Sequence, residues 1–303
     1  MSDATQIASS LDRSSEFWGG FFGDLMQLIK ARLTLLVVIT STVGYCMASA
    51  EGGEFHWLRF VHAVVGTALV AASAAVFNQL AEVDVDRLME RTKNRPLPTG
   101  RVSKTAAFWI GTVLGVVGLF ELGLVTTTVA TLLAAVTLFI YVAIYTPMKR
   151  YSAWCVPVGA VSGAIPPVIG WTAMDGSMGL GAWVLFGILF AWQMPHFLAI
   201  AWMYREEYAA AGCVMLPEND TKGTWTAIQS FFYSVLVTAI SLIPFFTGSA
   251  GVLYLCGAIF FNALMLVTSM RFLVKRTRAS ARSLFFASII YLPGLLGLMV
   301  FTK

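Results

Sequence analysis

Residues 60–77 read FVHAVVGTALVAASAAVF, without a single Asp, Glu, Lys or Arg, and eight further stretches of the chain are nearly as apolar. A helix that crosses ~30 Å of hydrocarbon needs roughly 20 such residues, and lipid leaves a spanning backbone only two solutions, the helix and the closed barrel. Runs of this length, with no strand-like alternation, predict nine transmembrane helices at about 33–50, 59–80, 106–124, 127–147, 154–172, 181–203, 225–247, 251–270 and 284–301. The third and fourth are joined so tightly that they form an antiparallel hairpin. The expected fold is all-α: a polytopic membrane protein with nine transmembrane helices.

Composition agrees. The 303 residues are 58% hydrophobic and only 12% charged, against about a quarter charged in an ordinary soluble domain. A net charge of +4 says little by itself, because the bases are unevenly placed; no nucleic acid is expected as a partner. Cys46, Cys155, Cys213 and Cys256 show no CxxC or Cys/His spacing, so they read as small buried hydrophobes rather than a disulfide framework or a zinc site. The first residues, MSDATQIASSLDRSSEFWGG, lack the basic start and apolar core of a signal peptide, and Asp3, Asp12 and Glu16 argue against an organelle transit sequence. The expectation is a bacterial plasma (inner) membrane, with residues 1–27 as a cytoplasmic segment and 28–303 as a single domain.

The bases orient the helices. With the N-terminus cytoplasmic and the C-terminus outside, only Arg59 and Lys303 of the 20 Lys and Arg residues fall on the outer side, a strong positive-inside asymmetry. The stretch RFLVKRTRASAR, 271–282, carries no acid and is expected to be an orienting or lipid-facing loop.

The second run continues directly into NQLAEVDVDRLMERTKNRPLPTGRVS, residues 78–103. Asn78, Glu82 and Asp86 are spaced by four, so on a helix each lies ~40° round and ~6 Å beyond the last. They form one stripe of oxygen donors climbing out of the membrane, with Asp84 on the other face. Hard oxygen ligands in this number suit Mg²⁺, which takes one or two carboxylates and completes its shell with water and phosphate oxygens. Arg91, Lys93 and Arg95 follow on a loop that Pro96, Pro98 and Gly100 bend back. Carboxylates, metal and Arg/Lys together hold a diphosphate whose charge grows as its bond to carbon breaks. The bland alternative is a solvated loop of self-compensating charge. Against it, the acids begin inside an apolar span, where ionisable groups are costly and by default functional.

This segment resembles the first signature of the UbiA-type intramembrane prenyltransferases, and its continuation MERTKNRPL is similar to the branch that farnesylates haem B. The resemblance extends through LIKARLTLL (28–36), YTPMKR (145–150), GAIPPVIGW (163–171), WQMPHFLAIAW (192–202) and YREEYAAAGCVMLP (204–217). It implies nine helices around a central cavity, with the active-site loops cytoplasmic. It also implies that Asn78, Glu82 and Asp86 bind Mg²⁺–diphosphate with the help of Arg91, Lys93, Arg95, Lys149 and Arg150; Lys30, Arg32 and Arg205 join this diphosphate-binding set. Two positions depart from the wider pattern. Many members have Asp where this chain has Gln79 and Glu82. The second acidic motif is reduced to EEYAAAG, with Ala211 at its second acid position, leaving Glu207, or Glu206, as the candidate catalytic acid.

Within the sixth run, Pro195 is expected to kink the helix and free the Ala191 carbonyl. Beside it, His196 is a candidate haem ligand or hydrogen-bond donor, the alternative being a neutral histidine bonded to a neighbouring helix. His56 and His62 are given no role. The activity implied is transfer of a farnesyl group from farnesyl diphosphate to a vinyl group of haem B, giving haem O. A downstream haem A synthase or terminal oxidase assembly is the protein partner implied. Prenylation of a quinone precursor stays open as the alternative acceptor chemistry. A transporter or assembly factor is less favoured, because the runs show no internal repeat and the acids sit at the rim, not the midplane.

Overall fold

The computed structural model describes residues 20–52 and 54–302. Among these, every regular element is helical, and nine helices are long and apolar enough to cross a membrane: α1 (Ala31–Ala50), α2 (Trp57–Ala81), α3 (Lys104–Val125), α4 (Thr128–Met148), α5 (Cys155–Asp175), α6 (Leu180–Met203), α7 (Thr224–Phe246), α8 (Val252–Lys275) and α9 (Arg278–Phe301). Arg13, Lys303 and the first part of the 1–27 segment lie outside the described residues. Residues 20–28 form a further helix whose last residue, Leu28, is fully buried.

Side-chain caps begin several spans where the sequence supplies a hydroxyl. Ser103 accepts from the Ala106 amide at the start of α3, Thr127 from Ala130 at α4, and Thr277 forms a capping box with Ser280 at α9. These contacts satisfy amides that the first helical turn leaves without a partner. Leu36, Trp109, Phe120, Phe139 and Phe260 point outward and exposed, as lipid-facing residues do.

α5 is the most buried span and packs against α1, α2, α4 and α6. α6, α7, α8 and α9 close on one another as a second group. A buried polar knot pins that group. Asn262 donates to the Ser241 hydroxyl at 2.9 Å and accepts from the Tyr291 hydroxyl at 2.8 Å, while the Tyr254 hydroxyl donates to the Ser241 carbonyl at 2.7 Å. In an apolar bundle an unpaired member of such a set is expensive, so the set fixes helix register.

Several local expectations need correction. The cationic stretch 271–282 is not a loop: α8 runs to Lys275 and α9 begins at Arg278, leaving two residues between them. Arg276 turns the corner at φ 50°. The fifth span is interrupted at Ile165, where the paired prolines of GAIPPVIGW suggest a kink, because neither Pro166 nor Pro167 can donate to the preceding turn. The sixth span continues as a helix on both sides of Pro195. The fourth contains a π-helical stretch, Ile140–Tyr145, a feature that hydropathy does not encode and that often marks functional positions.

Candidate active site

The Asn78–Asp86 stripe is not carried by one unbroken helix. α2 ends at Ala81, and a short helix, Val83–Leu88, resumes after Glu82. The i→i−4 bonds nevertheless persist across the junction, with Glu82 N donating to the Asn78 carbonyl at 3.1 Å and Asp86 N to the Glu82 carbonyl at 2.7 Å. The four-residue spacing therefore survives the break.

Each of the three side chains meets a different cation. The Asn78 carboxamide, fully buried, accepts from Lys30 Nζ and donates to Thr146 Oγ1 at 3.1 Å. Glu82 accepts from Lys149 Nζ at 2.8 Å. Asp86, only 3% exposed, accepts from Arg95 Nη1 through both oxygens, at 2.8 and 3.0 Å. Three oxygen donors and three bases thus interlock at one end of the bundle, where α1 begins and where α2 and α4 end.

Local backbone features place these bases. Lys30 has left-handed φ/ψ of 48° and 52°, an uncommon conformation for a residue with a Cβ. Gln79 holds that turn by donating to the carbonyls of Gln27 and Leu28 at 2.8 and 2.7 Å. A carboxylate at this position could not donate either bond. The role was missed in the sequence, since nothing in the spacing ties residue 79 to residue 27. The π-helical stretch of α4 carries Tyr141 and Tyr145, and Thr146 follows it directly. The Thr146 hydroxyl donates to the Tyr141 carbonyl at 2.8 Å, and Lys149 Nζ lies 4.5 Å from the Tyr145 ring centre.

Charge is concentrated here with little water. Burial, with Arg95 and Lys149 as like charges, pulls Lys30 down to about 7, against the opposing influence of Glu82 and Asp86. Burial is the larger cause and the neighbouring like charges add to it, so an anion brought to Lys30, Arg95 and Lys149 relieves their mutual repulsion.

A pocket of about 310 Å³ opens beside the Glu82–Lys149 pair, lined also by Thr146, Arg150, Tyr151 and Cys213. Asp84, which helical spacing set on another face, lines it as well.

Other expected site residues stand apart from the stripe. Lys93 is exposed and paired with Glu90. Arg32 is exposed. Arg205 pairs with Glu206 and lies 4.5 Å over the Trp202 ring. Arg91 donates to the Tyr208 hydroxyl at 3.3 Å and lies 5.8 Å from the Tyr204 ring centre. Glu207 is half-buried on the short helix Arg205–Ala210. The apolar contact of Val85 and Met89 with Tyr208, Ala211 and Cys213 brings that helix against the stripe. His196 lies deeper in α6. Its Nδ1 is 2.8 Å from the Ser288 hydroxyl, and its ring stacks on Trp192 and leans against Phe285.

Among the described residues, no group of three His, Cys, Asp or Glu side chains is gathered for a metal. The donor chemistry still fits Mg²⁺. Two carboxylates and an amide oxygen, all hard and set in a row, are what that ion takes from a protein when phosphate oxygens fill the rest of its shell.

The UbiA prenyltransferase family model matches residues 37–290. A protoheme IX farnesyltransferase of Solibacter usitatus is 39% identical over 92% of this chain and 98% of its own length. One of Opitutus terrae is 39% identical over 93% and 95%. Among solved structures, one described as giving insights into the biosynthesis of digeranylgeranylglyceryl phosphate synthase in membranes superposes with a TM-score of 0.80 at 18% identity, covering 93% of this chain and 98% of that one. A UbiA homolog from Archaeoglobus fulgidus bound to DMAPP and Mg²⁺ superposes with a TM-score of 0.65 at 13% identity, covering 91% and 99%. The chain belongs to the UbiA prenyltransferase family.

Proposed function

We propose that the protein transfers the farnesyl group of farnesyl diphosphate to a vinyl group of haem B, with addition of water, to give haem O and diphosphate. The observation that carries the transfer chemistry is the buried line Asn78, Glu82 and Asp86 interlocked with Lys30, Lys149 and Arg95. The names of its relatives point to the acceptor. Residues 28–303 act as one catalytic domain, with the charged end of the bundle facing the cytoplasm.

Diphosphate oxygens take over the cations that now rest on Asn78, Glu82 and Asp86. Lys30, Lys149 and Arg95 then neutralise the leaving group, which frees the oxygens of Asn78, Glu82 and Asp86. Mg²⁺ held by Asn78, Glu82 and Asp86 would supply further charge neutralisation to the diphosphate. The allylic C–O bond breaks with its electron pair passing to the diphosphate. The vinyl terminal carbon bonds to the farnesyl C1, and water adds at the adjacent carbon and loses a proton. The chain provides no covalent nucleophile; its contribution is electrostatic placement and the exclusion of water until the carbon–carbon bond has formed.

Purified protein given haem B and farnesyl diphosphate should yield a product heavier by one farnesyl group and one hydroxyl group, and chelator should abolish it. A quinone precursor offered in parallel should remain unmodified. Ring prenylation with no haem product would overturn the acceptor assignment, and haem bound but unaltered would turn the reading to transport or assembly. Lys149→Gln should raise KM for farnesyl diphosphate about tenfold or more, since a hydrogen bond to a charged partner contributes about 1.5–3 kcal/mol.

A further inference from the structure

The cationic turn between α8 and α9 was set aside in the sequence as a topological signal, and the structure gives part of it a specific address. Arg278, the first residue of α9, lies 5.8 Å from the centre of the Tyr204 ring at the end of α6. Arg91, from the loop after α2, lies 5.8 Å from the centre of the same ring. Two exposed guanidinium groups from segments far apart in sequence are thus gathered on one aromatic side chain. Neither is in an ion pair with an acid among the described residues. Two like charges held this way repel, and a dianion between or beside them relieves the repulsion.

The ground below this pair is aromatic. Along α9, Arg278 and Phe285 are seven residues apart, so they share a face with about 10 Å between them along the axis. Tyr204 follows the end of α6, eight residues beyond His196 and so roughly 12 Å further along the axis, and the His196 and Phe285 ring centres are 5.1 Å apart. The seam between α6 and α9 therefore runs from two guanidinium groups at the rim to a cluster of Trp192, His196 and Phe285 in the apolar layer. His196, Tyr204 and Phe285 are all only partly buried. Cationic at one end and aromatic at the other, this surface matches a planar, amphiphilic ring system that carries carboxylates on one edge.

We infer that Arg91 and Arg278, flanking Tyr204, bind the propionate carboxylates of the porphyrin acceptor, whose ring lies along the α6–α9 seam. This rests on the haem-prenylating reading above, and it moves Arg91 from the diphosphate set to the acceptor. The Tyr208 hydroxyl, which accepts from Arg91, belongs to the residues packed against Val85 and Met89 of the stripe segment, so the two anionic subsites are neighbours. Both substrates then sit with charged ends at the rim and apolar bodies in the bilayer. Guanidinium groups suit the task because they pair with carboxylates bidentately and stack on aromatic faces.

The test compares haem B with its dimethyl ester in wild type, Arg278→Gln, Arg91→Gln and Arg271→Gln, the last removing an exposed base from within α8. Steady-state KM values and a Soret titration without farnesyl diphosphate are the readouts. Wild type should favour haem B over the ester by about tenfold or more. Arg278→Gln and Arg91→Gln should each raise KM for haem B severalfold or more, narrow the preference over the ester, and leave KM for farnesyl diphosphate unchanged. Arg271→Gln should match wild type. If wild type converts haem B but treats the ester equally well, or if Arg278→Gln shifts only the farnesyl diphosphate KM, the carboxylate subsite is wrong while the haem reading stands. If wild type converts no haem B, the underlying reading falls and this inference with it.

Discussion

Asp86→Asn should lower kcat for farnesyl transfer by about 10²–10³-fold, the loss typical when one preorganised electrostatic partner of a developing charge is removed. The side chain is buried, and both of its oxygens accept from Arg95. The amide keeps the shape and one acceptor but removes the negative charge that holds the guanidinium in place and that a divalent ion requires. Asn78→Ala should fall by a similar factor, because it strips Lys30 of its oxygen partner and Thr146 of its donor. Both variants should keep the wild-type helical spectrum and haem-binding Soret titration, which separates loss of chemistry from loss of fold. Glu90→Gln alters an exposed acid paired only with Lys93, so its rate should stay within a few-fold of wild type. Near-normal turnover by Asp86→Asn would remove the stripe from the diphosphate site.

The legible part of this protein is what hydropathy and spacing encode. Length and polarity of the apolar runs were enough for nine spans, since in lipid every backbone polar group must be satisfied within the segment. The four-residue period of Asn78, Glu82 and Asp86 was enough for a shared line, even though the helix breaks at Glu82. What stayed hidden depends on partners distant in sequence. Helical spacing says nothing of which base each oxygen meets, so Lys30, Lys149 and Arg95 could not be told from Arg32, Arg150 and Lys93. The role of Gln79 depends on carbonyls 51 and 52 residues earlier. No residue type in IYVAIY announces the π-helical stretch of α4. Pro195 lies inside α6 without ending it, so a proline alone does not mark where a span stops. The bases at 271–282 looked uniform because sequence cannot show that Arg278, alone of them, reaches the Tyr204 ring.

Gly44→Leu and Gly170→Leu should each abolish folded, monodisperse protein in detergent, read by size exclusion and thermal unfolding, whatever substrate is present. α1 and α5 touch through their backbones. A Cβ on Gly44 would lie 1.9 Å from the Pro167 carbonyl oxygen, and one on Gly170 would lie 1.8 Å from the Ser41 carbonyl oxygen. The two contacts are reciprocal: Ser41 and Gly44 are three apart on α1, and Pro167 and Gly170 are three apart on α5, so each helix offers one carbonyl and receives one. Small residues at such a crossing let backbones approach closely, which is how helices associate where lipid removes the hydrophobic drive. Ordinary overpacking costs about 1–3 kcal/mol because side chains move aside. Here the obstacle is main chain on both sides, with Pro167 stiffening one of them, so the whole helix would have to retreat. α1 directly follows Lys30 and α5 is the most buried span, so any retreat also pulls Lys30 from Asn78. Gly44→Ala should therefore lower both stability and activity, less than leucine does. Gly297→Ala, whose Cβ would meet nothing within 4 Å, should match wild type in both. A stable, active Gly44→Leu protein would mean that the backbones do not meet there, and the placement of Lys30 would need another cause.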